Sequence, residues 1–120
     1  MKPTISYLCT LLFLLCATAA FAELKTIGEG ANMQADTSAF PPEMKKAYEV
    51  FKVKCIKCHG LDRTILTLQS GVSPSGSNFD AAAIDAYGAK MLRKPDADMS
   101  RQDVKTVNEV MKYMLNEASK

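Results

Sequence analysis

Two cysteines three residues apart, directly before the chain's only histidine, constrain this sequence more than any other feature: Cys55-Ile56-Lys57-Cys58-His59. The other two cysteines, Cys9 and Cys16, fall in an N-terminal stretch with the layout of an export signal, MKPTISYLCTLLFLLCATAAFA. Lys2 supplies its positive start. Ile5 to Cys16 is an apolar run broken only by Ser6 and Thr10, and Ala20-Phe21-Ala22 is an A-x-A cleavage site. A run this short, ending in small residues, predicts cleavage after Ala22 and a periplasmic protein; an uncleaved anchor is the lesser alternative. A lipoprotein signal fails at Leu15, where a small residue should precede Cys16. Without residues 1–22 the chain keeps 98 of its 120 residues, enough for one small domain. Basic side chains fall from 15 to 14 against 13 acidic ones, a net charge of +1. That balance gives no strong attraction for nucleic acid or a membrane surface.

In an exported protein the remaining pair could close a disulfide, but so small a loop does little to constrain an unfolded chain. The spacing suits other chemistry. Two thiols three residues apart can reach the two vinyl groups on one edge of a haem, and the next residue then places its imidazole beneath the iron. Thioether formation consumes both thiols, so Cys55, Cys58 and His59 are expected to hold one covalent haem c. A thioredoxin-like pair needs the N-terminus of a helix in a βαβ setting, whereas here the pair follows a helical pattern with no flanking strands. A structural zinc site needs four protein ligands, and two cysteines with one histidine fall short. With His59 the only histidine, bis-histidine ligation within the chain is excluded. The sixth ligand is a methionine, a weaker ligand such as lysine, or nothing.

Around the motif the pattern is helical. Residues 23–40 are mixed, small and polar, predicting a loose N-terminal arm. Pro42 and Glu43 suit a first helical turn. Met44, Ala47, Tyr48, Phe51 and Cys55 then recur at three- and four-residue steps, one face of a helix ending near Cys55. Residues 60–78, with Gly71, Pro74, Gly76 and four serines, predict a loop with at most one short turn. Asn78 or Asp80 can cap a helix over roughly Ala81 to Leu92, which Lys94-Pro95 breaks. Asp98 or Ser100 can cap a last helix, about Arg101 to Ala118, with Ser100 and Asp103 placed as a capping box. Val104, Val107, Val110, Met111 and Met114 form its apolar stripe.

On these residues the chain resembles the small class I monohaem c-type cytochromes over 43–118. Cys55-Ile56-Lys57-Cys58-His59-Gly60 is the strongest part. Ala47 and Phe51 match that family's small and aromatic positions before the first cysteine, and Val110 and Tyr113 match its C-terminal helix where the two helices cross. Cys58-His59-Gly60-Leu61-Asp62-Arg63 is similar to a short-loop subgroup with a CHxLDR opening. The resemblance implies an all-α, cytochrome c-like bundle of three main helices around one covalently attached haem, here over residues 41–120. It also implies a methionine ligand in the segment Lys90 to Ser100, where Met91 and Met99 both lie. Met91 follows Gly88 by three residues and precedes Ser100 by nine, close to the family layout. Met99 abuts the cap, the place of a hydrophobic staple. Spacing from His59 points the other way, since Met99 at 40 residues is nearer the family's usual value than Met91 at 32. Met91 is the preferred ligand and Met99 the alternative. Met44, Met111 and Met114 sit on helical stripes as flexible core filler, and Met33 lies in the arm. The family's post-motif proline has only Pro74 as a counterpart.

A His/Met-ligated haem leaves no open coordination position and favours single-electron transfer over oxygen or peroxide chemistry. The expected function is therefore a periplasmic electron carrier, not an enzyme. It would be a monomer that meets redox donor and acceptor proteins transiently and takes no small-molecule substrate. Lys54, Lys57, Lys90, Arg93 and Lys94 cluster in sequence near the haem-binding segments and could form a basic ring for acidic partners. Two alternatives remain. One is a haem sensor or ligand-binding protein with a vacant or labile sixth site. The other is a fixed haem subunit of a membrane redox complex.

Overall fold

The computed structural model describes residues 23–56 and 60–120. Among them run four α-helices: α1 Pro42–Cys55, α2 Leu61–Ser70, α3 Ala81–Leu92 and α4 Arg101–Ala118. A short antiparallel hairpin precedes them, β1 Thr26–Ile27 paired with β2 Gln34–Ala35. The molecule is mostly helical, and α4 is its spine: α1, α2 and α3 all pack against it, α1 and α3 most extensively.

The helix ends have local causes. α1 opens with Pro42 in its first turn, where the missing N–H is harmless, and Glu43 follows beside the positive end of the dipole. Asp80 caps α3 by accepting from the Ala83 N–H at 2.9 Å. Ser100 caps α4 reciprocally. Its hydroxyl accepts from Asp103 N at 3.0 Å, while its own N–H donates to Asp103 Oδ2 at 2.9 Å. The bounds of α3 and α4 agree with the sequence pattern, and α1 begins at the predicted proline.

Two expectations are corrected. Residues 60–78 were expected to be a loop, but Leu61–Ser70 form ten residues of helix. Leu61, Ile65 and Leu68 are buried at i, i+4 and i+7, and Gly71 ends the helix at φ +67°, a left-handed conformation that glycine adopts without a Cβ penalty. The arm over 23–40 is packed rather than loose. Leu24, Ala35 and Phe40 are buried, and the Gln69 side chain donates to the Leu24 carbonyl at 3.1 Å.

The core runs along the α1–α4 contact. Ala47, Tyr48 and Phe51 of α1 and Val107, Val110, Met111 and Met114 of α4 are all buried. Phe40 closes one end, its ring edge-on to Tyr113 at 4.9 Å and to Tyr48 at 6.1 Å. Gly88 lets α3 approach α4 closely, since a Cβ there would stand 2.9 Å from Val104 Cγ1.

Candidate functional site

Cys55 is the last residue of α1, and it is buried. It lines a cleft of about 320 Å³ between α1, α2, α3 and α4. Arg63, Thr64 and Thr67 of α2 form one side, Pro74 and Phe79 come from the following loop, and Tyr87 and Met91 project from α3. Met111 of α4 lies at the back, itself buried. Phe79 and Tyr87 meet with ring centroids 5.5 Å apart, giving the cleft an aromatic wall. A second cleft of about 240 Å³ adjoins it, sharing Cys55 and Met91 and adding Lys54, Met99 and the segment Lys94–Ala97.

Cys58 and His59 lie outside the described residues, so of the sequence-predicted site the described part is Cys55, Met91 and Met99. Cys55 and Met91 line both clefts together. Met91 is half-buried. Of these two clefts Met99 borders the smaller one, and like Met33 and Met44 it packs partly buried against the core. Met114 is fully buried in α4. Met111, expected only as core filler, also lines the cleft. Pro74, the proposed counterpart of a post-motif proline, stands on the cleft wall.

Arg63, Thr64, Thr67, Phe79 and Tyr87 were not singled out from the sequence as lining residues, Arg63 entering only as part of the CHxLDR-like opening. The first three belong to α2, whose helical period was the available signal: they occupy the flank left over once Leu61, Ile65 and Leu68 turn inward. Thr67 Oγ1 satisfies itself on the Arg63 carbonyl at 2.9 Å. Phe79 is buried beside the α3 cap, whereas Tyr87 is 40% exposed at the cleft mouth.

The expected basic ring is altered at one member. Lys54 is not a free surface cation: it donates to the Asp98 carbonyl at 2.8 Å and pairs with Asp103 at 3.4 Å. Lys90, Arg93 and Lys94 are exposed, with Arg93 Nε donating to the Ala89 carbonyl at 3.2 Å, and Lys57 lies outside the described residues. Asp103 is held below the usual carboxylate range, first by the Ser100 N–H and further by its hydroxyl and by Lys54. Among the described residues no helix is long and apolar enough to cross a membrane.

These residues suit a haem. The cleft of about 320 Å³ lies at the lower end of the range for ligand sites, and the adjoining 240 Å³ cleft extends it past the same Cys55 and Met91. Its lining is largely apolar and aromatic, with one thiol at the end of α1 and a thioether from α3 on the same space. Those are the two donor types that a covalently attached, methionine-ligated haem needs from these positions. No protein-family model, no curated protein and no solved structure matches the chain.

Proposed function

We propose that this protein is an exported single-electron carrier with one haem c, attached through Cys55 and Cys58 and ligated by His59 and Met91, in a cytochrome c-like fold. The observation that carries the reading is the convergence of Cys55 and Met91 on one aromatic-walled cleft, from helices separated by 25 residues of chain. The haem, when bound, supplies one-electron iron chemistry. The protein's part is to hold and shield it. As the last residue of α1, and buried, Cys55 would fix one point of the attachment edge. Phe79, Tyr87, Met111 and Pro74 keep water from the cleft interior, which limits reorganisation when the charge changes. Met91 would supply a soft sulfur, which favours reduced iron and raises the potential above that of a bis-histidine site.

Met91 is preferred to Met99 because it faces both clefts, whereas Met99 is engaged with the core. Donor and acceptor would be redox proteins that dock transiently, with the exposed Lys90, Arg93 and Lys94 on the approach. Export in a host that matures c-type haem, followed by mass spectrometry under denaturing conditions, tests the attachment. The expected species is the chain from Glu23 plus one haem, with the covalent link weakened in Cys55→Ala. A chain that is exported without added mass contradicts the proposal.

A further inference from the structure

Lys54 immediately precedes Cys55, yet its ammonium reaches away from α1 to a different part of the chain. It donates to the Asp98 carbonyl at 2.8 Å and stands 3.4 Å from Asp103 Oδ2, with its own side chain only 21% exposed. The receiving end is itself constrained. Asp98 has φ +43°, the one non-glycine in the left-handed region among the described residues. Asp103 Oδ2 also accepts from Ser100 N at 2.9 Å, so one carboxylate oxygen faces both the cation and the cap of α4. Between α3 and this point the chain has no regular element and descends by two turns, Lys94 N to Met91 O at 3.1 Å and Ala97 N to Lys94 O at 3.2 Å. The cation therefore ties the residue beside Cys55 to the segment flanked by Met91 and Met99, and Lys54, Met91 and Met99 border the same 240 Å³ cleft.

We propose that Lys54 is a positioning residue whose contact with the Asp98 carbonyl and the Asp103 carboxylate holds segment 94–99, and with it the methionine face of the cleft, against the end of α1. A charge-assisted bond to a carbonyl is stronger than a neutral one, and here it rewards a backbone conformation that is otherwise unfavourable for a residue with a Cβ. The inference rests on the haem reading for its functional meaning, but the clasp itself is a property of the chain.

The test compares the unmodified holoprotein with Lys54→Met, Lys54→Arg and Lys52→Met. The last removes an equal charge two residues earlier on the same helix, where Lys52 pairs locally with Glu49 at 3.1 Å. Two quantities are measured: amide hydrogen exchange at Ala97 and Ser100, and the affinity of the oxidised protein for added imidazole, which competes for the methionine's position. Lys54→Met is expected to raise both by about tenfold, as loss of a charge-assisted bond predicts. Lys54→Arg is expected to restore most of the protection, and Lys52→Met to match the unmodified protein. Should Lys54→Met not mature, Lys54→Gln takes its place in both measurements. Unchanged exchange and imidazole affinity on loss of the Lys54 charge, or equal effects from Lys52→Met, overturn the clasp. A protein that carries no haem contradicts the functional reading instead, and the exchange measurement still decides whether the clasp exists.

Discussion

Tyr48 shows how a single side chain joins the arm to the bundle. Its ring is buried in α1, tilted against Phe51 at 5.4 Å, and its hydroxyl accepts from the Ala35 N–H at 2.9 Å. Tyr48→Phe keeps the ring but leaves that buried N–H without its partner, so a loss of about 1–3 kcal/mol in urea unfolding is expected. Burial pushes the Tyr48 hydroxyl above its ordinary value of 10.0, more than the Ala35 contact lowers it. The sign follows directly: the folded state holds the proton more tightly than the unfolded chain. Its stabilising contribution is complete below pH 10.0 and is lost as pH rises through the higher folded value. Unfolding measured from pH 8 upward should show this loss, and Tyr48→Phe should reduce it. Helical period located Tyr48 on the buried face, but nothing in the sequence revealed its bond to Ala35, because that contact spans 13 residues and joins a hairpin to a helix.

The helices differ in how far they could be read from sequence. α3 and α4 have capping side chains of their own, Asp80 and Ser100, and Pro95 follows α3, so local chemistry marks where they begin and where α3 stops. α2 has no side-chain cap; Gly60 precedes it, and the glycine- and serine-rich stretch behind it obscures its three inward residues. Removal of a cap should therefore be felt locally. Ser100→Ala is expected to cost about 1 kcal/mol in thermal or urea unfolding. Asp103, its reciprocal partner, has a folded value below its ordinary 3.8. Its contribution is present above pH 3.8 and lost as pH falls through that lower value, an acid-side loss that Asp103→Asn should lack in circular dichroism titrations. At the α3–α4 crossing, Gly88→Val would press a branched side chain onto Val104 and Asn108. A destabilisation of about 1–3 kcal/mol is expected, more than its better helix propensity returns.

Across the whole molecule, the arm is part of the domain because Leu24, Ala35 and Phe40 reach the core between short polar runs. Such isolated apolar residues have no period, which is why the arm read as loose. Phe40→Ala should cost about 3 kcal/mol in the same unfolding assay, since it opens the edge-on contacts with Tyr48 and Tyr113. The cleft likewise draws on every helix, and of its lining the sequence pointed to Cys55, Met91 and Pro74: a motif, a glycine-spaced methionine and a loop proline are local signals, whereas Phe79, Tyr87 and Thr67 meet only through folding. Exposed Lys90, Arg93 and Lys94, which flank Met91 in the chain, predict that electron transfer to an acidic protein partner slows as ionic strength rises from 0.01 to about 0.15 M, measured by stopped flow. The most direct test of the proposed centre is the oxidised optical spectrum of the exported protein, with Met91→Ala and Met99→Ala alongside. A weak charge-transfer band near the red edge, present in the unmodified protein and lost only in Met91→Ala, is the expected result. A high-spin spectrum in the unmodified protein with ready carbon monoxide binding, or loss of the band only in Met99→Ala, would contradict His59/Met91 ligation.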